Sequence, residues 1–274
     1  MIDEESVVLS HFSIRHAGLE ERFAAAHAAG FKAVGLFIDA FLASEQAGVA
    51  ASRQRELAER YGVVVEEIEA IRPWSGDEAE KARADAAERT AFRMADAFGS
   101  RYVQAIGPYH GSLDDAAQTF AGLCDRAAEH GLTVGIEFLP YTNISDASVA
   151  GAIVAAADRP NGGVCVDSWH HFRGAADDAQ IRALTASRVA AVQLDDGLLQ
   201  PENPDYFTDC IENRRVPGEG EFDLVGFIRL LDEMDVSVPV SLEVISTQLQ
   251  ARPAEEVTKR LREGFHRVLT EARR

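Results

Sequence analysis

The feature that most constrains this chain is a regular alternation of short β-like apolar runs with longer helical stretches. The runs are Ser6–Ile14, Ala33–Phe37, Val63–Ile71, Tyr102–Gly107, TVGIEFLP from Thr133, GGVCVDSW from Gly162, RVAAVQLDD from Arg188 and VPVSLEVIS from Val238. Between them lie helical patterns over Leu19–Ala29, a stretch ending near Tyr61, Glu78–Phe98, Asp115–His130, Asp146–Ala157, Asp178–Ser187 and Leu224–Met234, with Pro253–Ala272 closing the chain. Gly30, Gly99 and Gly131 sit where a helix needs a left-handed terminator. Eight such units at intervals of roughly 30 residues imply a parallel sheet, and eight is the number that closes an α/β (β/α)8 TIM barrel. A single domain over residues 1–274 is the expectation. A doubly wound open sheet is the alternative, but no strand is followed by GxGxxG or GxxxxGK[ST].

Composition excludes several partners. The formal charge of −18, from 45 acids against 27 scattered Lys and Arg, argues against nucleic acid or an anionic membrane. No apolar run approaches the roughly 18 residues of a membrane helix. Cys124, Cys165 and Cys210 are too few and too dispersed for a disulfide framework, and the acidic N-terminus does not read as a signal peptide. The expectation is a cytoplasmic protein.

Polar residues in the later strands carry the chemistry. Glu137, Asp167, Gln193 and Glu243 each stand late in an apolar β-like run, where burying an acid or amide is costly without compensation. In a parallel barrel the C-terminal strand ends gather functional side chains, and strands about 4.8 Å apart let four neighbours converge on one point. Three carboxylates and an amide oxygen make a hard, oxygen-rich set that suits one divalent ion, Mn²⁺ or Mg²⁺ first.

The series IEFLPYT, VDSWHHFRG, VQLDD, RRVPGEGEFD and SLEV resembles the sugar phosphate isomerase/epimerase family, the xylose isomerase-like TIM barrels, from about Ser6 to Leu269. The resemblance implies that Glu137, Asp167, Gln193 and Glu243 bind the metal. Gln193 stands where histidine is commoner. It also implies that His170, three residues after Asp167, and Arg214, in the RRVPGEG run, hold substrate oxygens, with Arg214 the better match than Arg215. Glu137 and Glu243 would then move a proton between adjacent carbons through a metal-stabilised enediolate. The activity so implied is a metal-dependent isomerase or epimerase of a keto-sugar or polyol derivative. A dehydratase acting on a hydroxylated keto compound or sugar acid is the second reading. A non-catalytic ligand-binding barrel is the third. An endonuclease of the same fold would need extra histidines and a basic groove, and eight scattered histidines at −18 do not supply them. A phosphorylated substrate lacks a glycine-rich loop to receive it.

Several residues also have plainer readings. A strand glutamate such as Glu69 is more often exposed or ion-paired than placed in a site, although it joins the candidate substrate-binding set with Arg214 and Trp169. Trp74, Trp169 and Phe37 are candidates for an apolar substrate wall, yet aromatics at strand ends are usually core. His11 lies at the end of the first run. His170 and His171 point to different sides if their segment is extended, with His170 the favoured one. Asp195 and Asp196 read as loop starters or as residues that orient a ligand. Cys165 shares a face with Asp167 and reads as packing. The irregular stretch Gly197–Phe222 is long enough for a lid or for an interface in a homo-oligomer.

Overall fold

A computed structural model describes residues 1–274. Eight parallel strands close on themselves in sequence order: β1 (Val7–Leu9), β2 (Ala33–Phe37), β3 (Val64–Ile71), β4 (Tyr102–Ile106), β5 (Thr133–Glu137), β6 (Gly162–Asp167), β7 (Val189–Leu194) and β8 (Val240–Leu242). Pairing of Val7–Leu9 with Val240–Leu242 seals the barrel. The expected (β/α)8 TIM barrel is the observed fold.

Alternation along each strand separates two apolar environments. Ile68, Val103, Val134, Ile136, Val164, Val166, Val192 and Leu194 pack outward with the helices in one large core. Tyr102, Cys165 and Ala191 pack with one another inside the barrel. Continuing that inward face towards the C-terminal strand ends places Gln104, Glu137, Asp167 and Gln193 above this small apolar layer. Two glycines make room inside. A Cβ at Gly135 would lie 2.5 Å from the Tyr102 hydroxyl, and one at Gly35 would collide with the Glu69 carboxylate.

Local signals fix the helix ends. Asp77 caps Glu78–Phe98 by accepting from the Glu80 N–H, and Gly99 ends that helix at φ 72°. Ser112 and Asp115 form a reciprocal capping box at the start of Leu113–Ala128. The helical pattern ending near Tyr61 is two helices, Ile38–Gln46 and Ala51–Arg60. The run from Gly162 is shorter than expected as a strand, because Asp167 accepts from the Trp169 N–H at 2.6 Å and caps a helix over Ser168–Arg173. His170 and His171 therefore stand on a helix, not on an extended segment.

Candidate active site

At the C-terminal face of the barrel opens a cavity of about 740 Å³, with Gln104, Glu137, His170, Arg214 and Glu243 among its lining residues. Glu137 ends β5 and is buried. The Gln104 amide donates to its Oε2 at 2.6 Å, and His170 Nε2 stands 3.1 Å from its Oε1. The other histidine nitrogen, Nδ1, lies 2.8 Å from the Tyr206 hydroxyl. With that hydroxyl donating to Nδ1, the imidazole carries its proton on Nε2 and donates it towards Glu137. Asp167 Oδ2 is 3.6 Å from the same Nε2, one helical turn away. Ligand atoms of Glu137, Asp167 and His170 all lie within 4.8 Å of one another, which makes these three a candidate metal site.

Arg214 closes the other side of the cluster. Its Nη1 donates to Asp195 Oδ2 at 2.5 Å, and to Asp167 Oδ2, Glu243 Oε2 and the Glu243 carbonyl at 3.1 Å each. Its Nε donates to the Cys210 carbonyl, so the guanidinium is held at both ends. Asp195 in turn accepts from Ser168 Oγ at 3.0 Å and serves as the orienting acid behind Arg214. Arg215 pairs instead with Glu202 at 3.0 Å, away from the cluster.

Burial dominates the electrostatics. It pushes Glu137 up to about 8, with Asp167 beside it acting in the same direction and Arg214 opposing. Burial takes His170 down to about 4, against the pull of Asp167. Asp167 is also buried, but Arg214 and His170 hold it below the usual carboxylate range. Near neutral pH the site therefore combines an imidazole, an ionised Asp167 and a glutamate poised to gain or lose a proton.

The donor set fits a divalent ion. Glu137, Asp167 and Glu243 are hard oxygen donors, and Gln193 pairs in register with Asp167 on the neighbouring strand. Gln193 is fully buried. Its Oε1 accepts from Cys165 Sγ at 3.4 Å, while its Nε2 has no partner. Turning the amide over leaves an oxygen in place of that unsatisfied donor.

Other candidates lie elsewhere. Trp169 does not line the cavity: it is fully buried against Phe222, with Arg173 4.6 Å above its ring. Glu69 is likewise behind the wall, neither exposed nor ion-paired, and accepts from the His11 N–H at 3.0 Å. The helix Ser168–Arg173 carries Trp169 into the outer core, whereas Glu69 lies inside the barrel beside Gly35 and Glu67. Trp74 and Phe37 do line the cavity. His11 is buried between Phe12 and Phe37 and is pushed down to about 2 by burial and Arg22. His171 turns away to Asp178 at 3.1 Å. Burial drives the Cys165 thiol far above its ordinary value, as expected for packing. Gln104 and Tyr206 were not singled out from the sequence. Gln104 carries the same signal as Glu137, a polar residue in an apolar strand, whereas Tyr206 opens the short helix Tyr206–Glu212 inside the irregular stretch and carries none.

A parallel eight-stranded barrel whose top cavity is floored by acids, a histidine and an arginine defines the class of protein. Residues 23–267 match the family model of the xylose isomerase-like TIM barrel, and the chain belongs to that family. A 3-dehydroshikimate dehydratase of Pseudomonas putida is 27% identical over 254 residues, 87% of this chain and 38% of that protein. An inosose isomerase of Bacillus velezensis is 26% identical over 157 residues, 57% of this chain and 55% of that protein. The matches thus span less than two thirds of the length of these curated relatives. Among solved structures, an IolI protein described with a binding zinc atom superposes at a TM-score of 0.87, with 17% identity over 97% of this chain and 98% of that one. At that identity the likeness concerns the fold. No helix is long and apolar enough to cross a membrane.

Proposed function

We propose that the protein is a divalent-metal-dependent isomerase or epimerase that moves a proton next to the carbonyl of a polyhydroxylated small molecule. The observation that carries this reading is the convergence of Glu137, Asp167 and His170 within 4.8 Å at the floor of a cavity that Glu243 and Arg214 also line. Glu137, Asp167, Glu243 and Gln193 would hold one ion, with Mn²⁺ or Mg²⁺ favoured by the oxygen donors. Such an ion supplies Lewis-acid polarisation of a carbonyl and its neighbouring hydroxyl. Glu137 removes the α-proton. Glu243 returns a proton to the adjacent or the opposite position. His170 donates to a substrate oxygen, and Arg214 offsets the charge that develops on the enediolate. A cytoplasmic location and a small-molecule substrate belong to the same reading.

The second reading, dehydration of a hydroxylated keto compound, uses the same proton removal followed by loss of a β-hydroxyl. The dehydratase relative supports it, since that match runs over 87% of this chain.

The test begins with metal content after dialysis, measured by elemental analysis on the wild type and on Glu243→Ala. About one divalent ion per chain, lost in the variant, is expected. Inosose and 3-dehydroshikimate are then incubated in deuterated water: deuterium incorporation without loss of water identifies the isomerase or epimerase, and a new conjugated chromophore identifies the dehydratase. Absence of metal in the wild type even after added Mn²⁺ would sink both.

A further inference from the structure

The cavity extends well past its acidic floor, and its upper wall carries arginines that no acid neutralises. Arg72 is the first residue beyond β3, at the face where a barrel displays its working side chains. Its Nη1 donates to the Gly107 carbonyl at 2.6 Å, and that is its single hydrogen bond. Gly107 follows Ile106, which is in register with Glu137. The Arg72 guanidinium thus stands over β4, beside the strand that carries the candidate base, and it lines the same cavity. Arg15 and Arg83 line the cavity too. None of the three, each solvent-exposed, forms an ion pair; Arg89 and Arg101 are unpaired as well, whereas Arg60, Arg93 and Arg126 pair with Glu20, Glu45 and Glu88. Two acids share the rim. Glu80 is occupied by the Gly76 N–H at 2.6 Å and lies 3.6 Å from His110, which leaves Asp39 as the rim's other carboxylate.

We propose that Arg72 receives a carboxylate of the substrate, so that the molecule enolised at the cavity floor is a hydroxylated keto acid, not a neutral ketose or cyclic polyol. The inference rests on the floor acting as proposed above. With Nη1 held by a main-chain carbonyl, the remaining guanidinium N–H groups offer a planar fork, the geometry a carboxylate fills with two parallel hydrogen bonds. A phosphate would call for the additional backbone donors of a glycine-rich loop, and no such motif follows any strand. Phe12, Phe37 and Trp74 line the same cavity and offer apolar surface to the carbon skeleton of such an acid.

The test is calorimetric binding of two matched pairs, gluconate against glucitol and quinate against myo-inositol, to Mn²⁺-supplemented protein and to Arg72→Gln. The glutamine amide can still donate to the Gly107 carbonyl, so a purely structural role would leave the ratios unmoved. In the wild type at least one acid is expected to bind tenfold or more tighter than its neutral counterpart, weakening as salt is raised. In Arg72→Gln that ratio is expected to collapse about tenfold, with metal content and melting temperature unchanged. No acid preference in the wild type, or a preference that survives in Arg72→Gln, overturns the proposal. Metal content and deuterium incorporation report on the floor separately. An Arg72-dependent preference without metal would refute the proposed activity while leaving this site standing.

Discussion

At the scale of single residues, Arg214 decides how the site holds together. One nitrogen faces Asp167, Asp195 and Glu243 at 2.5–3.1 Å, all buried. Removing one partner of a buried ionic cluster strands the rest, at a cost of about 3–5 kcal/mol. Arg214→Met is therefore expected to lower the unfolding free energy by that amount in EDTA, as read from urea denaturation. Mn²⁺ should restore more stability to the variant than it adds to the wild type, because it returns positive charge to the same acids. Equal increments in the two proteins would show that the ion and the guanidinium do not share those carboxylates. The convergence of Glu137, Asp167 and Glu243 was legible in the sequence because an acid in an apolar strand needs a partner. What was not legible is who the partners are. Gln104 lies 33 residues from Glu137 and Tyr206 lies 36 from His170, and only the closed barrel makes them neighbours. Of the two readings open for Trp169, substrate wall or core, the helix Ser168–Arg173 selects the core by turning the indole into it.

At the scale of elements, the stretch from Gly197 to Phe222 is held by two buried aspartates. Asp196 accepts from the N–H groups of Gly197, Gly218, Gly220 and Phe222 at 2.8–3.1 Å, folding the PGEGEF turn around one carboxylate. Asp209, in the helix Tyr206–Glu212, accepts from Arg173, Asn213 and the N–H groups of Glu202 and Asn203. Because Tyr206 and Arg214 ride on this stretch, its order sets the positions of His170 and the acid cluster. Asp196→Ala removes four bonds to a charged acceptor and is expected to cost about 2–4 kcal/mol. Trypsin should then cut at Arg214 and Arg215 faster than in the wild type. Unchanged cleavage would mean that other contacts hold the turn. The sequence showed an irregular stretch with Arg214 in its RRVPGEG run, but not what holds it, since a side chain binding four scattered N–H groups leaves no periodic trace. The βα alternation, by contrast, was legible almost strand for strand, because repeated burial on both faces writes itself into runs of valine and isoleucine. Two runs are exceptions: VPVSLEVIS is a strand only over Val240–Leu242, which leaves Glu243 just beyond it, and the run Ser6–Ile14 is cut short as well. It stops at Leu9, where Ser10 caps a short 3-10 turn over His11–Ile14 and Arg22 gathers the His11, Ile14 and Ala17 carbonyls.

At the scale of the whole molecule, the barrel interior carries more negative groups than positive ones. Glu67, Glu69, Glu137, Asp167, Asp195 and Glu243 are buried, and Arg214 is the cation among them. Burial is the leading cause that pushes Glu67 up to about 7, against the hydrogen bond from Ser241, and Glu137 up to about 8. A carboxyl whose folded value is raised keeps a proton that the unfolded chain has already released. Stability is then greatest below the unfolded value near 4.5 and falls as pH rises through the folded one. Asp167, held low by Arg214 and His170 despite burial, works in the opposite direction, but only at acid pH. Without metal, the urea midpoint is therefore expected to fall between pH 5 and pH 8.5. A bound divalent ion should flatten that slope, because it lets Glu137 and Glu243 stay ionised at little cost. Glu67 stands below the cluster and separates the two effects. Glu67→Gln keeps the shape and the bond from Ser241 but cannot ionise. It is expected to stabilise the protein by about 2–3 kcal/mol at pH 8.5 and by little at pH 5. A gain of the same size at both values would mean that Glu67 does not titrate in this range, and that the interior tolerates its charge by some route other than proton uptake.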